Sequence, residues 1–89
     1  MTFQVFDMLG KEIKVDDVVA GAFSYGSSAA LRVGRVVELK ITHPHDNQPN
    51  YYVKVRWLHG WGVPSKPTLI GVKPNDKCHL MKVMVDGVN

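Results

Sequence analysis

The sequence predicts an all-β chain of five or six short antiparallel strands with little or no helix. Three observations carry this expectation. Val, Ile, Thr and aromatic residues dominate the apolar segments, and these side chains suit a pleated, half-buried surface. Several segments alternate apolar and polar residues with the period of two required of a strand that faces a core on one side only. Gly or Pro interrupts almost every window of helical length, so no stretch is left for a stable helix.

From the N-terminus, Phe3, Val5 and Met8-Leu9 form a short apolar piece ending at Gly10, and Lys11-Glu12-Ile13-Lys14-Val15 then alternates cleanly. This places a turn near Leu9–Lys11. Asp16-Asp17 leads into a strand over Val18–Phe23, with a kink or bulge expected at Gly21. Ser24–Ala30 is rich in small residues and reads as a loop. The longest strand candidate is Leu31–Ile41. Leu31, Val33, Val37, Leu39 and Ile41 share one parity there; Arg32, Glu38 and Lys40 share the other and are expected to point outward. Arg35 and Val36 break the pattern after Gly34, where a bulge would exchange the faces.

Thr42–Asn50 is turn chemistry. Tyr51–Leu58 is the cleanest strand, with Tyr51, Val53, Val55 and Trp57 on one side and Tyr52, Lys54 and Arg56 on the other. His59–Pro67 is a second loop, stiffened by proline and carrying Trp61. Thr68–Val72 is a short strand or bridge, Lys73–Lys77 a turn, and His79–Val85 the last strand. Loops this short between strands this short describe a small barrel or a strongly bent sheet. Closure would remove exposed edges, which a small all-β chain tolerates poorly.

The 89 residues make a single domain, 1–89, without internal repeats or low-complexity tracts. A hydrophobic share of 45% is too high for intrinsic disorder. No apolar run approaches the roughly 18 residues of a membrane span, so no membrane partner is expected. The opening MTFQVFDMLGKEIKVDD lacks the long apolar centre of a signal peptide. The lone Cys78 excludes an internal disulfide, and a reducing cytoplasm is the expected setting. A core this small must close its sheet well or oligomerise. Monomer and homodimer both stay open, with Val36, Leu80 and Met84 as candidate interface residues.

The formal charge of +3 is concentrated in the middle of the chain. Residues 31–66 hold Arg32, Arg35, Lys40, Lys54, Arg56 and Lys66 against Glu38 and Asp46, and all three arginines fall there. Arginine makes planar, forked contacts with phosphates and carboxylates and stacks on aromatic rings.

The order of signals resembles the SH3-like barrels, in particular the KOW and Tudor-type versions. The stretches that carry the likeness are Ile13-Lys14-Val15-Asp16-Asp17-Val18-Val19 and Gly34-Arg35-Val36-Val37-Glu38-Leu39, followed by the basic strand Tyr51–Leu58. It spans roughly residues 11–58 and departs from the family pattern at Asp16, where glycine is usual. The resemblance implies a small SH3-like barrel that binds RNA, DNA, ribosomal or polymerase partners, or modified peptide tails. In overall character the chain is also similar to small accessory proteins of tailed bacteriophages. A fold used so widely does not settle function, which must come from the site.

Two readings of the site follow. In the first, Arg32, Arg35, Lys40, Lys54 and Arg56 gather on one wall with Tyr52 among them, and Tyr25 and Trp61 reach the same rim. Cations that track a backbone, interleaved with rings that stack bases, suit RNA or DNA. In the second, the 24–30 and 59–66 loops, with Tyr25, Ser27, His59, Trp61 and Lys66, recognise a protein or small ligand, and the basic face meets an acidic protein surface. This is the behaviour of an inhibitor or adaptor, acting on a host protein or nucleotide signal if phage-encoded.

Neither reading involves catalysis. No spacing among the serines, histidines and aspartates matches a hydrolase signature, and Gly26-Ser27-Ser28 lacks the context of a phosphate-binding loop. His43-Pro44-His45-Asp46 offers no regular geometry for zinc. No enzyme activity, cofactor or metal is expected.

Overall fold

Strand formation begins where the acidic pair Asp16-Asp17 gives way to Val18-Val19. The computed structural model describes residues 3–43, 48–60 and 62–83, and of Tyr25 only the backbone. In it β1 runs Val18–Tyr25, β2 Ser28–Thr42, β3 Asn50–Gly60, β4 Thr68–Val72 and β5 Met81–Lys82. Among the described residues these five strands form one antiparallel sheet in the order β4-β3-β2-β1-β5, and none of the residues is helical.

The first hairpin is tighter than its composition suggests. Tyr25 pairs with Ser28, which leaves Gly26-Ser27 as a two-residue turn with positive φ (58°) at the glycine alone. That is the type II′ pattern, whose twist matches the flanking strands. The expected loop over 24–30 is therefore mostly strand, with Phe23 opposite Ala30 and Ser24 opposite Ala29. Small residues there signal a narrow hairpin with an exposed tip at Gly26-Ser27.

The β2–β3 pairing shifts register twice. Val33 faces His59 and Gly34 faces Trp57, so Leu58 is unopposed; Val36 faces Val55 and Glu38 faces Lys54, so Val37 is unopposed. Side chains alternate with a period of two, so an extra residue exchanges the faces of everything beyond it. Before Val37, the inward residues are Arg32, Gly34 and Val36; beyond it, Leu39 and Ile41 lie opposite the inward-facing Val53 and Tyr51. The exchange occurs at Val37, three residues later than Gly34. Two expectations are corrected by it: Arg32 faces the interior at 8% exposure, and Leu31 stands out at 64%.

The core comprises Val5, Ile13, Val19, Val36, Val53, Val55, Trp57 and Leu80. Phe23 meets Trp57 edge to face at 5.0 Å, a favoured arrangement of the two ring quadrupoles. Gly34 is required beneath Trp57. A Cβ there would lie 2.5 Å from the Arg56 carbonyl oxygen and 2.9 Å from the Trp57 Cα. Val36 and Leu80, considered as interface residues, are core instead; Met84 lies outside the described residues.

Among the described residues the sheet does not close into a barrel by strand pairing, since β4 and β5 remain its two edges. Lys73-Pro74 ends β4 by removing a backbone donor, and the last strand is only Met81–Lys82 within an expected 79–85, of which 84–85 are not described. The N-terminal segment occupies this side. Phe6 bridges both Glu12 and Lys77, Cys78 N–H donates to the Phe6 carbonyl and Met8 N–H to that of Leu80. Val5 and Ile13 thereby join the core.

Asp7 ties this segment to the sheet. Its carboxylate has no solvent exposure and accepts N–H bonds from Leu9 (3.0 Å), Lys11 (2.8 Å) and Lys82 (3.0 Å). Burial alone would raise its pKa, but the three bonds and the Lys11 charge outweigh burial and hold it below the ordinary carboxyl value. Asp16, where the SH3-like resemblance expects glycine, takes the left-handed conformation itself (φ 78°). Its N–H donates to the Val36 carbonyl at 2.8 Å, so the tight turn forms without glycine.

Candidate nucleic-acid interface

The face of β2 and β3 opposite the core is built by register. Arg35 lies opposite Arg56, Glu38 opposite Lys54 and Lys40 opposite Tyr52. Directly opposed side chains in such a ladder sit about 5 Å apart. Val18 of β1 flanks Arg35, and Leu69 and Gly71 of β4 flank Lys54 and Tyr52. Arg35, Lys40, Lys54, Arg56 and Tyr52 are thus brought together on one wall, as alternation predicts for all but Arg35, which broke the pattern. Arg32 is not among them.

Among the described residues the charges on this wall are only partly compensated. Lys54 Nζ lies 3.7 Å from Glu38, with both side chains substantially exposed, a pair worth under about 1 kcal/mol. Arg35 Nη1 donates to the Asp16 carbonyl at 3.1 Å, which orients the guanidinium and leaves its charge in place. Among the described residues, neither Lys40 nor Arg56 has a carboxylate within 4.0 Å. Arg35 and Arg56 carry like charge at directly opposed positions, an arrangement that disfavours the sheet itself.

Arg32 does structural work. Its guanidinium lies 4.5 Å above the Phe23 ring and Nη2 donates to the Gly62 carbonyl at 2.9 Å. Attraction to the ring and a carbonyl acceptor make burial of the charge tolerable. The contact also ties the chain after β3 to β2.

The loop residues of the second reading fall elsewhere. Ser27 is exposed in the β1–β2 turn, His59 is exposed opposite Val33, and Lys66 is exposed in the bend before β4. His59 pairs seven β2 positions away from the Lys40–Tyr52 pair, so it does not extend the basic row. Leu31 and Leu58 leave that end of the sheet more apolar. Trp61 and the Tyr25 side chain lie outside the described residues.

Sequence reasoning missed a groove of about 820 Å³ beside Tyr52, whose walls include Gly71, Lys73, Asp76, Lys77 and His79. Two lysines in a turn were visible, but their position beside Tyr52 depends on the N-terminal segment pairing with residues 75–80. Cys78 is part of the groove wall. Burial pushes its thiol pKa up, the Asp7 charge adds to this, and backbone hydrogen bonds offset it in part, so the thiol is a poor nucleophile at neutral pH. Among the described residues no three His, Cys, Asp or Glu side chains converge as a metal site. Of His43-Pro44-His45-Asp46, only His43 is described, and it is exposed.

Comparison with protein-family models, curated proteins and solved structures returned no match.

Proposed function

We propose that this protein is a non-enzymatic module that binds RNA or DNA through the outer wall of β2 and β3. The observation that carries the reading is the cross-strand pair Arg35–Arg56, continued by Lys54 and by Lys40 beside Tyr52. Two arginines at directly opposed positions of a ladder cost folding free energy when no anion lies near them. A phosphate backbone crossing the wall would relieve that repulsion and release its own counterions. Tyr52 adds a ring for stacking. Arg32 contributes to the fold of the module and not to the contact. A cytoplasmic setting belongs to the same proposal; no helix among the described residues is long and apolar enough to cross a membrane.

The test is equilibrium binding of mixed-sequence oligonucleotides over a range of salt concentrations. Affinity should fall by roughly one power of salt per phosphate contacted, and the Lys54→Ala/Arg56→Ala double variant should bind weakly while remaining folded. No binding at low salt, or a flat salt response, removes the reading.

The second reading, an adaptor or inhibitor that meets an acidic protein surface, is supported by exposed Leu31 and Leu58 at the far end of the sheet. It predicts one stoichiometric protein partner, recovered from the native cytoplasm and unaffected by nuclease. The SH3-like resemblance and the likeness to phage accessory proteins accommodate both readings.

A further inference from the structure

Resting on the nucleic-acid reading, we infer that Tyr52 and Gly71 form a stacking platform for one unpaired base, which makes the module a single-strand binder. Tyr52 is flanked in register by Lys40 on β2 and Gly71 on β4. Position 71 opens onto empty space: a Cβ built there meets no atom within 4 Å. Backbone geometry does not demand the residue either, since Gly71 has no positive φ. Glycine inside a strand otherwise weakens it. An interior glycine with open space above it and an ordinary backbone is what a site needs when a ligand must approach the sheet closely.

Among the described residues Tyr52 makes no ring–ring contact and no side-chain hydrogen bond. Its neighbour Tyr51, by contrast, is held edge to face by Phe3 at 5.0 Å. Tyr52 borders the 820 Å³ groove, as do Lys73, Lys77 and His79, a volume within the range of small-ligand sites. Lys40 lies opposite Tyr52 on β2, and Lys73 and Lys77 line the groove that Tyr52 borders; these cations can hold phosphates next to a stacked base, and Asp76 in the groove offsets one of the charges. A base buried in a duplex cannot present its face to a ring on a sheet, whereas an unpaired base can.

The experiment compares a DNA strand carrying one 2-aminopurine with the same strand in duplex, for wild type, Gly71→Leu, Tyr52→Leu, Tyr52→Phe and Lys54→Ala. Wild type should prefer the single strand by about tenfold, the scale of one base–aromatic stack, and quench the 2-aminopurine. Gly71→Leu and Tyr52→Leu should each erase the preference and the quenching, Tyr52→Phe should keep both, and Lys54→Ala should weaken the two substrates alike. Thermal unfolding of each variant checks the fold, and the Phe-against-Leu comparison at position 52 stands even if leucine at 71 disturbs it. If wild type binds both substrates in a salt-dependent way with equal affinity, or if Tyr52→Leu leaves the preference intact, the platform is wrong and the basic wall stands. If wild type binds neither, both fall.

Discussion

Arg56 faces Arg35 across the β2–β3 pairing, so an Arg56→Glu exchange turns a repulsive pair into an attractive one without touching the core. A like-charged pair in direct register costs about 0.2–1 kcal/mol and an opposite-charged pair gains a similar amount. The combined swing is centred near 1 kcal/mol. Lys54, two residues along the same strand face, favours the glutamate as well. For a domain of this size about 1 kcal/mol corresponds to a rise in Tm of roughly 4–8 °C. Nucleic-acid binding should change in the opposite sense, with the salt dependence shallower by about one power and affinity at moderate salt down by tenfold or more. Circular dichroism melts and fluorescence anisotropy titrations at several salt concentrations measure the two effects on one sample. A variant that is no more stable than wild type and binds equally well would refute the claim that this wall keeps an unfavourable charge arrangement for an anionic ligand.

Gly34→Ala should destabilise the protein by about 1–3 kcal/mol, because the added carbon overlaps the Arg56 carbonyl and Trp57; urea unfolding measures it. Asp7→Asn should cost about 1–3 kcal/mol at neutral pH, since an amide oxygen cannot serve the three N–H donors that the two carboxylate oxygens share. The folded pKa of Asp7 is depressed, so its contribution is present above the ordinary value of 3.8 and lost as pH falls through the lower folded value. Melts between neutral and strongly acidic pH should show that this acid-sensitive component is missing in the variant. Arg32→Ala should lower stability by about 1–3 kcal/mol through the lost contacts to Phe23 and Gly62, yet leave the salt slope of binding unchanged. Asp16→Gly should raise stability by about 0.5–1 kcal/mol, because relief of the left-handed strain exceeds the extra backbone entropy of glycine.

Alternation alone made the basic wall legible on β3. Tyr52, Lys54 and Arg56 are outward and Val53, Val55 and Trp57 inward as their spacing predicts, because no bulge interrupts that strand before Leu58. On β2 the same reasoning succeeds for Glu38 and Lys40 and fails for Arg32, which lies on the other side of the Val37 bulge. A bulge is a property of two strands in register, and a single strand's sequence shows only that the period breaks. A connection within Ser24–Ala30 was legible, but its contraction to the two residues Gly26-Ser27 follows from where Tyr25 and Ser28 find partners.

What the sequence determined by itself is local: β-rich segments, turn sites, and an excess of cations in the middle third, since propensity, period and charge act over a few residues. Contacts far apart along the chain were decided only in three dimensions. Asp7 meets Lys82 and Phe6 meets Lys77, closing the core where strand pairing stops. Those contacts also place Lys73, Lys77 and His79 beside Tyr52. The physical reason is that neither group gains free energy until the other is in place, so the free energy of their meeting belongs to no local segment of the chain.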